Sequence, residues 1–225
     1  MVLTPQRLVQ LSKYPLLKNS WYFIAAATFS VCNQPNEVAR LVHYALKQSQ
    51  YESSNKSIID PTRESILKSL ALGGIPKAIN TMMYLKNATP VSLQDSKPNR
   101  DFDSSKTDQV RERGIEFWHH VYGKVSNRII NQMNTAYPDL WEYAKNHIYS
   151  PLLSYSDILT PKETSLVIIG CLVPQDVNPQ LKGHLKGALN NGATPEEVEQ
   201  ARQLALSISE WCDIKWKEDV AKLKL

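Results

Sequence analysis

The stretch KGHLKGALNNGATPEE (182–197) decides how this chain is read. Gly192 stands where a helix C-terminus favours a residue free to enter the left-handed region, and Asn190 and Asn191 before it are the next best tolerated there. Thr194 then has the character of an N-cap, Pro195 fills the first helical position, and Glu197 completes a capping box. The stretch therefore predicts a helix that stops, turns and restarts. Upstream, Asn178 and Pro179 give a similar start. Leu181, His184, Leu185, Ala188 and Leu189 then fall at i, i+3, i+4, i+7 and i+8, one apolar face that carries a histidine inward.

The same grammar recurs along the chain. Thr4-Pro5, Asp60-Pro61 and Thr160-Pro161 repeat the pairing of an N-cap residue with proline seen at Thr194-Pro195, and Glu163 adds a second capping box. Residues 20–47, 61–86, 108–134, 138–147, 161–171 and 195–216 carry helical spacing or the composition of buried helices. In the last of these, Val198, Ala201, Leu204, Ala205, Ile208, Trp211 and Cys212 form one stripe. No convincing run of period two competes, so the fold class is all-α. Residues 87–108, rich in Ser, Asp, Asn and Pro, are expected to be an exposed linker between an N-terminal helical lobe (1–86) and a C-terminal one (109–225). A second polar loop, 48–59, divides the first lobe.

Bulk properties exclude several classes. The net charge is +4, yet basic and acidic residues alternate and no basic-aromatic stripe appears, which argues against nucleic acid as a partner. The longest apolar runs fall short of the ~20 residues needed to cross a bilayer, so no membrane partner is expected. Cys32, Cys171 and Cys212 are isolated, each within an apolar stretch, with no spacing suited to zinc. Neither a metal nor a cofactor is called for. The end of the chain, Leu223, Lys224 and Leu225, shares two residues with the Ser-Lys-Leu peroxisomal address, and the alternative is a lysine-rich frayed tail.

On each side of the linker an apolar helix is followed by a break and a helix with Ala-Leu near its end: NQPNEVARLVHYAL (33–46) and NPQLKGHLKGAL (178–189). The two do not align without gaps, and anchoring on Ala-Leu sets Leu41, not a histidine, opposite His184. This reads as a diverged internal duplication. HLKGALNNGATPEEV (184–198) resembles the signature of the carboxymuconolactone decarboxylase family, within the alkylhydroperoxidase D-like superfamily. LTPKETSLVIIGCL (159–172) resembles the helix before that signature, RGIEFWHHVYG (113–123) the entry helix, and RESILKSLALGGIPKAINTM (63–82) the closing helix. The resemblance implies a helical bundle of two lobes packed as one unit, of the kind found in fungal members assigned to peroxisomes or mitochondria. It also implies a homo-oligomer.

Departures from the pattern narrow the chemistry. The peroxidase branch places a CxxC pair seven and four residues before the histidine, where this chain has Val177 and Gln180, and its relay glutamate falls near Ser165. Cys171 is too isolated to substitute, and thiol peroxidase activity, through Cys171 or Cys212 included, is therefore disfavoured. In the decarboxylase branch, loss of carbon dioxide from a lactone acid leaves negative charge to be stabilised and protonated, work that suits a partly buried histidine. His184 is the catalytic candidate, and Arg113 or Arg128 the candidate to hold a substrate carboxylate. Lys182 and Lys186 flank His184 but face away from it. Trp118, Val121 and Tyr122 read as core, with His119 and His120 at its margin and Glu116 with His120 only a weak metal pair. His43 is expected to pack rather than react. The function expected is that of a decarboxylase-like lyase acting on a small carboxylate or lactone; the alternative is a non-catalytic, oligomerising scaffold that keeps the fold. A peroxisomal location, with the import receptor as partner through Leu223, Lys224 and Leu225, stands against mitochondrion and cytoplasm.

Overall fold

The computed structural model describes residues 1–48, 55–100 and 103–224. Residues 49–54 of the expected polar loop, residues 101 and 102 of the expected linker, and Leu225 of the terminal tripeptide lie outside the described residues. Among the described residues there is no strand, and the all-α expectation holds. The helices are α1 (Pro5–Ser12), α2 (Trp21–Val31), α3 (Pro35–Gln48), α4 (Lys56–Gly73), α5 (Ile75–Ala88), α6 (Thr107–Tyr122), α7 (Ser126–Ala136), α8 (Pro138–Tyr143), α9 (Pro161–Leu172), α10 (Asn178–Asn190) and α11 (Pro195–Trp211). A π-helical segment, Ala144–Leu153, continues from α8. None of the described helices is long and apolar enough to cross a membrane.

The centre of the bundle is the pair α2 and α9. Every residue of α2 is buried, and so is the run from Thr164 to Leu172 in α9. A helix apolar on all sides must be covered on all sides. The two pack on each other, and each also packs on both α4 and α11. They approach so closely that a Cβ on Gly170 would lie 2.9 Å from Thr28 Oγ1. Outside this centre, α3 covers α2 and α10 covers α9, which gives the two halves an approximate two-fold correspondence. The gap needed to align the two stretches has a local form. Left-handed Asn33 precedes Pro35 by two residues, and left-handed Asp176 precedes Pro179 by three.

Three of the four expected proline helix starts are present. Thr4 caps α1, and Thr160 and Thr194 form full capping boxes with Glu163 and Glu197. The fourth is a correction: α4 begins at Lys56, and Pro61 lies inside it. Proline cannot donate to the carbonyl four residues back. That carbonyl, of Ser57, instead accepts from the Tyr22 hydroxyl at 3.0 Å, so tertiary packing supplies the missing donor. Asn178 is also not a side-chain cap for α10. Its amide oxygen accepts from the Ala221 N–H (2.8 Å) and its NH2 donates to the Asp219 carbonyl (3.1 Å), holding the C-terminal tail.

Buried charge ties the halves together. Glu64 on α4 receives both arms of Arg100, at 3.0 and 2.5 Å, and Arg100 also donates to the Pro151 carbonyl and stacks 4.1 Å from the Tyr155 ring. Thus residues 87–100, although mostly exposed, are anchored by Arg100 at one end and, further back, by Arg63, which donates to the Leu93 carbonyl (2.8 Å) and to Asp95 (3.0 Å). One turn on, fully buried Lys68 donates to the carbonyls of Leu153 (3.2 Å) and Tyr155 (2.7 Å) and to Thr164 Oγ1 (2.6 Å). Burial pulls its pKa down to about 7, against the opposing pull of Glu64. Lys68→Met removes all three bonds, leaves their acceptors buried, and is expected to lower stability to urea by about 3 kcal/mol. An unchanged urea midpoint would show that these bonds contribute nothing net.

Candidate functional site

The geometry around His184 starts from a close helix crossing. A Cβ on Gly187 would lie 2.7 Å from Val121 Cγ1 and 2.9 Å from the Val121 carbonyl oxygen, so α10 rides directly on the end of α6. The adjacent asparagines of the turn complete the join. Asn190 donates to the Val121 carbonyl at 3.1 Å, and Asn191 donates to Ser165 Oγ at 2.9 Å on α9. Gly192 closes α10 with φ +91°; its N–H reaches the Leu189 carbonyl and the Ala193 N–H the Ala188 carbonyl, the paired bonds of a Schellman motif. Turn and crossing together fix one turn of α10, and His184 is on it.

His184 is buried, 6 % exposed, as its place on the apolar face predicts. Its Nε2 lies 3.2 Å from the hydroxyl of Tyr122, the last residue of α6, and that hydroxyl lies 3.1 Å from the Tyr149 hydroxyl in the π-helical segment. Around them stand Trp118, with its ring centroid 4.2 Å from Tyr122 and 4.7 Å from Tyr149, and Trp141, 4.7 Å from Trp118. Trp118 Nε1 is buried and, among the described residues, has no hydrogen-bond partner. Burial lowers the His184 pKa to about 4 and raises those of Tyr122 and Tyr149. At neutral pH the cluster is therefore an uncharged chain of one imidazole and two phenols. Such a chain can relay a proton, but it offers no fixed charge to an anion.

The arginines are placed elsewhere. Arg113 Nε donates to Ser154 Oγ at 3.0 Å and its Nη2 to the Ser150 carbonyl at 3.3 Å, with its guanidinium 5.8 Å from the Tyr155 ring. It clamps the end of the π-helical segment to α6. Arg128 is exposed on α7. Lys182 and Lys186 are exposed, as their helical positions require, and so are His119, His120 and His43; the expected packing role of His43 is therefore not seen. His120 Nδ1 lies 3.1 Å from the Glu116 carbonyl of its own helix. Among the described residues no three His, Cys, Asp or Glu side chains gather as a metal site would need. Clefts of about 540, 250 and 600 Å³ open beside Trp21, Arg100 and Trp216 respectively, and His184 lines none of them.

Sequence reasoning found His184 but not its polar partners. Tyr122 reads as core in WHHVY, and only the crossing at Gly187 turns its hydroxyl to the histidine. Tyr149 has no readable signal, because it lies in a segment with i→i+5 bonding, such as Ser154 N–H to the Tyr149 carbonyl at 2.9 Å, that a 3.6-residue period does not predict.

Comparison with known proteins agrees with this architecture. The profile of the carboxymuconolactone decarboxylase family matches residues 140–222, which span the π-helical segment, α9, α10 and α11. "Peroxisomal protein 2" of Saccharomyces cerevisiae is 40% identical over an alignment that covers 99% of both chains. "Peroxisomal protein 2" of Schizosaccharomyces pombe is 38% identical over 90% of this chain and 91% of its own. With the signature turn, the all-helical bundle and relatives that match along nearly its whole length, this chain belongs to the carboxymuconolactone decarboxylase-like family.

Proposed function

We propose that this chain is a peroxisomal member of its family that acts on a small carboxylate or lactone, with Tyr122 and His184 as its proton-handling pair. The 3.2 Å bond between buried, neutral His184 and half-buried Tyr122 carries the reading. A polar chain inside an aromatic core stabilises a fold poorly, and the unpaired Trp118 indole beside it adds a buried, unsatisfied donor. Peroxisomal location follows from the names of the two relatives.

The chemistry is proton delivery. When carbon dioxide leaves a lactone acid, the electron pair of the broken bond spreads into the lactone carbonyl as an enolate, and carbon must then take a proton. With His184 in the tautomer that donates from Nε2 to the Tyr122 oxygen, the Tyr122 O–H is free to turn outward and supply that proton. The Nε2–H bond then stabilises the phenolate that forms. Burial keeps both phenols protonated at neutral pH, as a proton donor requires. Arg113 and Arg128 have no place in this version, since neither touches the pair.

A second reading, the non-catalytic oligomerising scaffold, is favoured by a different observation. On α5, Ile75, Ile79 and Met83 recur every four residues at 57, 56 and 53 % exposure, an apolar stripe with no cover in the monomer. His184 also lines none of the three clefts described.

Two measurements separate these readings, and a third tests the burial of His184 that both share. In thermal-shift screens with small carboxylates and lactones, a ligand that stabilises the wild type but neither Tyr122→Phe nor His184→Gln supports the site, and turnover of that ligand should fall at least ~100-fold in either variant. Melting shifts that are equal in all three proteins would sink it. For the scaffold, Ile79→Lys is expected to reduce the mass measured by light scattering; an unchanged mass removes the α5 stripe as an interface.

The third concerns pH. The folded-state pKa of His184, about 4, lies below its ordinary 6.5, so on acidification the unfolded chain binds the proton first. Stability is full above about pH 6.5 and is lost as pH falls towards 4, by roughly 3 kcal/mol from this group. The drop in Tm between pH 7 and pH 4 should therefore be smaller in His184→Gln than in the wild type. Parallel curves would show that His184 is not buried neutral.

A further inference from the structure

The aromatic cluster around His184 is closed by a part of the chain that is lightly anchored. From residue 127 to residue 144, through α7 and α8, no residue is buried. Ile129, Ile130, Met133 and Trp141 are half-buried against the body, and these apolar side chains hold the hairpin down. Its substantial neighbours are the pieces that flank it in sequence: α6 and the turn Gly123–Val125 before it, and the π-helical segment after it. Gly123, at φ +50°, forms the bend through which α6 gives way to α7. Few buried apolar contacts and short-range packing mark a unit that opens locally, far more readily than the core unfolds.

What the hairpin covers is chemically unfinished. Among the described residues two buried side-chain polar atoms have no hydrogen-bond partner, Trp118 Nε1 and Ser126 Oγ, and both adjoin the hairpin. Ser126 is the first residue of α7, and the Trp118 ring lies 4.7 Å from that of Trp141 on α8. The same Trp118 ring lies 4.2 Å from Tyr122 and 4.7 Å from Tyr149, so it stands between the hairpin and the two phenols. A tryptophan N–H can only donate, and a buried donor left alone destabilises the fold. Here it is a donor held beside Tyr122 for an oxygen that the closed protein does not supply. Trp118, Tyr149 and His184 are buried and line none of the three clefts described, so a ligand reaches them only when their cover moves.

We propose that the α7–α8 hairpin is a lid, and that the space opened when Trp141 lifts off Trp118 takes a small lactone acid whose lactone carbonyl oxygen accepts the Trp118 N–H. The role of Trp118 rests on the reading of Tyr122 and His184 as the proton-handling pair, and it adds the group that binds the reacting carbonyl. The space left by an indole suits a small lactone ring. As the bond to carbon dioxide breaks, its electron pair moves into the ring and charge gathers on the carbonyl oxygen, where the N–H holds it. Carbon then takes the Tyr122 proton, and the phenolate recovers a proton from water. A donor placed at that oxygen binds the enolate more tightly than the starting carbonyl, which is what lowers the barrier.

Nuclear magnetic resonance of the tryptophan indole protons in the full-length protein tests this, with the Trp118 signal assigned by its loss in Trp118→Phe. Backbone amides of residues 127–143 should exchange with solvent at least ~100-fold faster than those of α9, and the Trp118 indole proton should exchange with the hairpin rather than with α9. Millimolar γ-butyrolactone should move the Trp118 signal downfield, whereas tetrahydrofuran, which has the ring but no carbonyl, should move it much less. Trp141→Ala removes the cover and should bind γ-butyrolactone roughly 10-fold more tightly, because less of the protein is closed. A Trp118 proton that exchanges only when α9 does, a signal unmoved by γ-butyrolactone or moved equally by tetrahydrofuran, or an unchanged affinity in Trp141→Ala overturns the proposal. Turnover bears on the two readings separately. A shifted indole signal in a protein that consumes no lactone acid would refute the decarboxylation and leave the binding site standing, whereas turnover at the wild-type rate in Trp118→Phe would remove Trp118 and leave Tyr122 and His184 in place.

Discussion

The fold rests on the burial of two helices that have no polar face. α2 and the greater part of α9 present apolar or small side chains in every direction, and at 25 cal/mol per Å² or so such surface cannot be left in water. Each needs its neighbour and two further helices as cover. Because α4 and α11 each lie against both, neither half of the chain could cover its own central helix alone. The halves therefore form one continuous core, with Lys68, Glu64 and Arg100 supplying the polar joins where backbone carbonyls face inward.

From that centre the site follows as a matter of spacing. Covering α9 brings α10 onto the end of α6, and only a glycine at position 187 allows the contact at Val121. The two asparagines of the signature turn, which read in sequence as residues tolerant of a helix end, instead act as clamps, one to α6 and one to α9. They hold His184 against Tyr122. The family resemblance thus marks a joint first. Chemistry at that joint depends on a hydroxyl contributed by a helix that lies some sixty residues earlier in the sequence.

The sequence by itself determined whatever is governed by neighbours along the chain. The capping boxes at Thr160 and Thr194, the left-handed Gly192, the inward face of His184 and the absence of strands all follow from backbone preferences and periodicity within a dozen residues. Tertiary structure decided what depends on who meets whom. Tyr22 hydrogen-bonds the carbonyl that Pro61 leaves without a donor, moving the start of α4 back to Lys56. Arg113 turns to Ser150 and Ser154 rather than to the histidine, Tyr149 reaches Tyr122 from a π-helical turn, and Arg100 folds its polar segment down onto Glu64. The physical reason is range. A cap or a periodic face is set by bonds three or four residues long, whereas a buried hydroxyl or guanidinium finds its partner only where packing delivers one.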